Sequence, residues 1–395
     1  MNILIIFPTG NALNNRAGAE TRIWALVSSL VDLNYDVSVL HSINSIGNED
    51  TQLKKKVTVY YYKNLTIHGI SDWYLTDFNP FFFLKLAQIL RKQKFDIIQL
   101  EFPWGFYTLK FLSHRKQCLI YNSHGIENEF MKIATKNPKF PKFLKPFARI
   151  YAKIYEKFVC KIANIVITLS EIDRNYYIHD FHINKNKTIL IQTPSLISSE
   201  KSVRTESLRI KSREKLNLPK DKIIVMFHGG LPHPPNREAF DIIEKYIAPN
   251  INNSEIIFAL AGFNLEPFRN ENIISLGFIS DIKDLLYSAD FAIMPIISGS
   301  GMRTKCMDYI MTALPFITTK KGIEGIDLLK DGEDYLSFDR VDKKFIDGIN
   351  LLSKDKNLYQ KIHENLKEKT NISNFEKFKK RFNKLYQLIN KYNTI

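Results

Sequence analysis

The chain has 395 residues, long enough for two domains of ordinary size. Hydrophobic residues make up 45% and charged residues 25%, which excludes an intrinsically disordered chain. A net charge of +15 favours acidic partners such as nucleic acid, anionic lipid or phosphorylated small molecules, or else only keeps a basic surface soluble. Three cysteines, Cys118, Cys160 and Cys306, stand far apart without a C-x-x-C pair, which fits a reducing cytoplasm better than a disulfide framework or a thiol metal site. No apolar run approaches the length needed to span a bilayer.

In chain order, NILIIF (2–7) is too short for a signal-peptide core and reads as a first buried strand. The runs 36–41, 57–62, 95–101, 118–123, 164–169 and 188–192 are likewise short and rich in β-branched or aromatic residues. Helix-period segments at 19–33, 80–93 and 146–163 lie between them. Strands apolar throughout imply a parallel sheet covered on both faces, so residues 1–197 are expected to form one doubly wound α/β domain. Residues 198–221 are polar and read as a linker with a short helix. A second alternation follows, with strands at 222–228, 255–261, 273–278, 290–295 and 315–319 and helices at 236–247, 280–289 and 302–313. The fold class is therefore α/β, two Rossmann-like doubly wound domains facing a cleft, with the second spanning 198–374. The tail 375–395 places apolar residues at 378, 382, 385, 386, 389 and 392, an amphipathic helix expected to cross back to the first domain.

The strand-to-helix loops carry the chemistry. After the first strand, PTGNALNNRAGAE brings Gly18 and Glu20 to a helix start, where Gly18 either lets backbone approach an anion or merely relieves a turn. A full G-x-G-x-x-G is absent. His124, just past the strand 118–123, either contacts a substrate or caps the helix 126–134. Gly229 and Gly230 end the first strand of the second domain, where bare backbone could approach a phosphate, and Asn236 reads as the cap of the next helix. The stretch GSGMRTKCMDYIMTALPF (299–316) is the most pointed. Arg303 and Lys305 sit at a helix N-terminus, where they oppose the dipole and gain nothing structurally. A break with a local rule is where function is expected, and an anion would resolve it. Asp308 either pairs with Lys305 or accepts two sugar hydroxyls. No D-x-D or His/Asp cluster suggests a metal.

This motif order resembles the GT-B-fold retaining glycosyltransferases of family four. GFISDIKDLLYSADFAIMPIISGSGMRTKCMDYIMTALPFITTKKGIEGI (277–326) is similar to that family's donor-site block, with its G-x-R-x-K-x-x-E pattern. FHGGLPHPPNREAF (227–240), SHGIENEF (123–130) and TLSEIDRNYY (168–177) resemble further family elements, so the likeness spans nearly the whole chain. The resemblance implies transfer of a sugar from a nucleotide-diphosphate sugar to a glycan or lipid-linked acceptor, in cell-surface polysaccharide or glycoconjugate synthesis. No cofactor and no metal would be needed. By that resemblance Arg303 and Lys305 would neutralise the donor diphosphate, Asp308 would hold the ribose, and His124 would contact the transferred sugar. Gly229 and Gly230 would cradle phosphate, Gly18 would admit the diphosphate from the other domain, and Ser300 and Gly301 would line the donor loop. Ser300 stands where the family often has a first glutamate, and Asp308 is shorter than the second.

Residues 131–161 hold nine Lys or Arg against one acid, Glu156. Cations every fourth residue beside an apolar stripe make 142–161 a basic amphipathic helix, which either lies on an anionic membrane or is a core helix with a solvated face. Cytoplasmic location follows, with a peripheral place on the inner face of the cell membrane in the first case. A nucleotide-sugar epimerase of the same two-domain shape is a competing reading, for which no acid/base pair can be placed. A nucleic-acid-binding protein is another, suggested by charge alone; nucleic acid is not expected as a partner, because aromatic and basic residues do not interleave as in known modules.

Overall fold

The computed structural model describes residues 1–14, 18–45, 49–197, 203–299, 301–370 and 375–393. They fall into two compact units, Met1–Pro194 with Ser300–Met302 and Phe375–Ile395, and Ser195–Gly299 with Arg303–Asn374.

The first unit is built on β1 (Asn2–Phe7), β2 (Asp36–Ser42), β3 (Thr58–Tyr62), β4 (Ile97–Glu101), β5 (Cys118–Asn122), β6 (Ile165–Thr168) and β7 (Thr188–Leu190). Their order is β3-β2-β1-β4-β5-β6-β7, and every neighbouring pair is parallel. The helices α1 (Gly18–Asp32), α2 (Thr51–Lys54), α3 (Pro80–Lys92), α4 (Phe106–Leu112), α5 (Glu127–Ala134), α6 (Lys145–Ile162) and α7 (Glu171–His179) connect them. The continuous apolar runs are fully covered, β4 and β5 being buried at every residue. Helix starts follow local chemistry. Asn79 accepts from the Phe81 and Phe82 amides ahead of Pro80, and the Ser170 hydroxyl accepts from the Asp173 amide.

In the second unit the strands are β8 (Ile223–His228), β9 (Ile256–Ala261), β10 (Phe268–Arg269), β11 (Ile273–Ser275), β12 (Phe291–Met294), β13 (Phe316–Thr319) and β14 (Leu336–Phe338). They run in the order β10-β11-β9-β8-β12-β13-β14, parallel except for β10 against β11. The helices are α8 (Glu206–Lys215), α9 (Pro234–Ile242), α10 (Ile282–Ser288), α11 (Thr304–Met311), α12 (Lys343–Lys354) and α13 (Lys356–Glu368). The last helix, α14 (Phe375–Asn393), belongs to the first unit, where Phe378, Phe382 and Tyr386 are buried and the Tyr386 hydroxyl donates to Gln99 Oε1 at 2.7 Å.

Three expectations change. The polar stretch read as a linker with a short helix does contain that helix, α8, whose cations converge on one acid, and the change is that it is anchored to the sheet. Arg213 Nη2 and Arg209 Nε reach the Asp290 carboxylate at 2.7 and 3.1 Å, and the Ile224 amide donates to it at 2.7 Å. The strand expected over 273–278 ends at Ser275, since Gly277 turns the chain with φ +67°, and a Cβ there would lie 2.9 Å from Pro267. The helix expected over 302–313 begins at Thr304, which leaves Arg303 at the N-cap position.

The Arg213 side chain is fully buried, and Asp290 is its carboxylate partner. Removing one member of such a pair leaves the other charge uncompensated. Asp290→Ala is expected to destabilise the second unit by about 3–5 kcal/mol, read as a lower denaturant midpoint for that unit. An unchanged midpoint would show that α8 is held without this carboxylate.

Candidate functional site

In each sheet the order reverses at one place, between β1 and β4 and between β8 and β12. Crossovers leave in opposite directions there, so the loops at the strand carboxyl ends part and expose backbone. Most of the predicted site residues collect at these two points.

In the second unit, Lys305 sits in the first turn of α11. Its Nζ donates to the His228 carbonyl at the end of β8 at 2.8 Å and to Asn236 Oδ1 at 3.0 Å, and it lies 4.3 Å from the centroid of the Phe227 ring. Among the described residues no carboxylate forms an ion pair with it. Burial, with Arg303 close by, pushes Lys305 down to about 7. Arg303 is 8% exposed, and its Nη2 donates to the Ser298 carbonyl at 3.0 Å. Gly299 makes room for it; a Cβ on this residue, at φ +103°, would lie 2.8 Å from Arg303 Nη2. Two histidines share the environment. Burial and then Lys305 push His228 down to about 3, whereas His233 is exposed at the surface, so the protein around it and then Arg303 and Lys305 lower it less firmly. His228 Nε2 is buried and has no hydrogen-bond partner among the described residues. Cations and neutral imidazoles thus gather where the α11 N-terminus already favours an anion.

Asn236 does not cap α9, as its sequence position suggests. His233 occupies the cap position, and Asn236 instead donates to the Gly230 carbonyl at 3.1 Å while accepting from Lys305. Gly229 is required by this arrangement, since a Cβ there would lie 2.6 Å from Asn236 Cγ. Gly230 is open, with nothing nearer than 3.7 Å to the place of a Cβ. Asp308 makes no ion pair with Lys305; its Oδ1 accepts from the Ser195 hydroxyl at 2.7 Å, and burial raises it to about 6. Ser300 lies outside the described residues.

In the first unit, Glu101 closes β4 and organises a buried polar network. It accepts from Gln99 Nε2 at 2.6 Å and Asn122 Nδ2 at 2.7 Å, and His124 Nε2 lies 2.7 Å from it. The fully buried Arg22 of α1 donates to Asn122 Oδ1 and Thr193 Oγ1, both at 3.3 Å. Burial pushes it down to about 10 against the pull of Glu101. His124 does not cap α5, whose cap position is Ile126. Burial lowers His124 while Glu101 opposes that shift, so a neutral ring that donates from Nε2 keeps Nδ1 as an acceptor. Phe102 stacks on the ring at 4.3 Å and holds a left-handed backbone with φ +68°, a strained geometry for an aromatic residue. Within this unit Gly301 has φ +77°, and a Cβ on it would lie 2.5 Å from the His124 carbonyl oxygen. Gly18 is exposed at the start of α1, and the neighbouring Glu20 accepts from the Asn11 amide at 3.1 Å.

Sequence reasoning missed Glu101, Arg22, His228 and His233. A carboxylate at the carboxyl end of the strand FDIIQLE and an arginine on the buried stripe of α1 were the available signals for the first two. Among the described residues no group of three His, Cys, Asp or Glu side chains is placed to hold a metal ion.

Residues 16–194 match the family model Glycosyltransferase Family 4, and residues 222–355 match Glycosyl transferases group 1. No curated protein matches the chain by sequence. Among solved structures, sucrose-phosphate synthase from Thermosynechococcus elongatus superposes with a TM-score of 0.78 at 14% identity, covering 99% of both chains. A glycosyltransferase from Rickettsia africae gives 0.67 at 15% identity, covering 99% of this chain and 98% of its own. Anabaena HepE in complex with UDP-glucose gives 0.68 at 14%, covering 97% of this chain and 99% of its own.

Lys305 has a folded-state pKa far below its ordinary 10.5. Between pH 7 and 10 the unfolded chain therefore holds more protons at this position, and the stability of the second unit rises with pH across that window. Ligand-free melting curves are expected to show a steeper rise in midpoint for the parent than for Lys305→Met. Equal slopes would overturn the assignment of a buried, uncompensated ammonium.

Proposed function

The chain belongs to the family 4, group 1 glycosyltransferases of GT-B fold, and we propose that it transfers a sugar from a nucleotide-diphosphate sugar to a glycan or lipid-linked acceptor. The observation that carries this reading is the cluster of Arg303 and Lys305 at the α11 N-terminus, flanked by His228 and His233, with no carboxylate ion-paired to Lys305 among the described residues. A diphosphate supplies the missing charge. When the bond between the anomeric carbon and the donor phosphate oxygen breaks, the electron pair leaves with the diphosphate. Arg303 and Lys305 meet that developing charge with preorganised donors and without a metal. The acceptor hydroxyl oxygen bonds to the anomeric carbon from the leaving-group face, with retention, and its proton passes to the departing phosphate. His124, neutral and oriented by Glu101, accepts from a hydroxyl of the transferred sugar through Nδ1. Asp308, fixed by Ser195, holds the ribose, and the open backbone at Gly230 admits the donor diphosphate. A cytoplasmic place in cell-surface glycoconjugate synthesis, against an anionic membrane through 142–161, completes the reading.

A thermal-shift panel of nucleoside diphosphates and their sugars tests it, with UDP and UDP-glucose as first probes because HepE binds the latter. At least one nucleoside diphosphate is expected to raise the melting midpoint of the parent. Arg303→Ala is expected to lose that rise and to lower kcat by about 10²–10³, the cost of removing one donor to a developing anion. The reading falls if no nucleoside diphosphate stabilises the parent, or if Arg303→Ala responds as the parent does.

A further inference from the structure

Three helices of the first unit leave large apolar side chains in solvent. On α6, Phe147 is 69% exposed, Ile150 60% and Ile154 63%, although Ala152, Tyr155 and Val159 on the other side of the same helix are buried. A core helix with a solvated cationic face would place such residues inside, so this stripe is not the packing face. The exposure continues beyond α6. Phe158 stacks on Tyr107 of α4 at 4.5 Å, and one turn further along α4 stands Phe111, 79% exposed. Phe111 meets Phe83 of α3 at 6.2 Å, beside Leu84 at 64% exposure. One continuous apolar surface therefore crosses α6, α4 and α3, where single scattered residues would need no explanation.

The charges around it have one sign. The three helices carry nine Lys or Arg and a single acid, Glu156, which is fully buried. Arg149, Lys153 and Lys161 on α6 and Lys110 on α4 are exposed beside the aromatic side chains. A second copy of this chain would bring two cationic rims together around the apolar centre, which opposes self-association. An anionic bilayer satisfies both features, since aromatic and aliphatic side chains enter the headgroup region while lysines and arginines reach lipid phosphate. Among the described residues no helix is long and apolar enough to cross a membrane, so the contact is one of lying on the surface.

We propose that α3, α4 and α6 together form a composite docking face for an anionic lipid bilayer, with Phe111 and Leu84 entering the lipid alongside Phe147 and Ile154. This deepens the reading of a membrane-side transferase by extending the contact to two helices that lack the basic amphipathic pattern of 142–161. It is tested by co-sedimentation of the full chain with vesicles of phosphatidylcholine alone and of phosphatidylcholine with phosphatidylglycerol. The parent is expected to sediment with the anionic vesicles, to stay in solution with neutral ones, and to detach as salt rises. The double variant Leu84→Glu/Phe111→Glu, altered only at exposed positions on α3 and α4, is expected to partition at least ten-fold more weakly. Its melting midpoint, and its rise with the nucleoside diphosphate that stabilises the parent, should match the parent's. That second readout separates loss of the docking face from failure of the donor-site reading. The proposal is overturned if the parent ignores anionic vesicles, if the double variant binds them as the parent does, or if the parent forms a dimer that the same substitutions dissolve.

Discussion

The ammonium of Lys305 is held by a carbonyl, an amide oxygen and an aromatic face, with no ion-paired carboxylate among the described residues. Each neighbouring feature of the second unit serves that placement. β8 and β12 lie side by side with crossovers leaving in opposite directions, which puts the His228 carbonyl within reach of α11. Gly229 has no Cβ, so Asn236 packs against its backbone and turns an oxygen toward Nζ. Gly299 has none either, so the Arg303 guanidinium folds back onto Ser298. Desolvation first, and the neighbouring cations after it, shift Lys305 and both histidines downward. Such an arrangement lowers the stability of the empty protein, which is the usual condition of a site shaped for a partner of opposite charge.

The cluster in the first unit is built on the opposite principle. Arg22 is buried as deeply as any cation in the chain, but Glu101 lies near enough to oppose its downward shift, and Asn122 bridges the two with both ends of its amide. Gln99 extends the network to Tyr386 of α14, so the last helix of the chain is bonded to the same strand that ends in Glu101. A buried hydrogen-bonded network rigidifies what it holds, although Arg22 Nε has no partner among the described residues. Here it holds the His124 ring, pinned at Nε2 and stacked on Phe102. One cluster therefore fixes an orientation, and the other concentrates positive charge at a helix N-terminus.

Much of this was legible in the residues alone. Period and composition located every described strand except the short edge strands β10 and β14, because parallel strands buried on two faces are mainly apolar, and the cations of 303–305 stood out by opposing a helix dipole. What escaped was whatever depends on pairing across distance. The short helix expected within 198–221 showed no anchor, because the cations of α8 face Asp290, 77 residues from Arg213. Asn236 looked like a cap because it stands near a helix start, whereas its partners come from Gly230 and from Lys305, 69 residues away. Glu101 was read as the last residue of a strand, since its three partners lie on β4, on β5 and just beyond it. α12 and α13 lack the glycine and proline loops that drew attention elsewhere and were left unassigned.

The net charge of +15 first pointed to acidic partners without choosing among them, and the position of the cations is what the two proposals rest on. A nucleic-acid groove needs exposed cations interleaved with stacking platforms along a track. Arg303 is instead 8% exposed and enclosed by glycine-bearing loops, a geometry that suits a small anion entering backbone-first. The cations of α6 are distributed beside apolar side chains that protrude from the surface, a geometry that suits a wide, soft, charged plane. The same residue type therefore acts through two different physical terms. At α11 low dielectric strengthens the attraction of a few fixed charges for one ligand, whereas on α6 and α4 many screened charges act together with apolar burial.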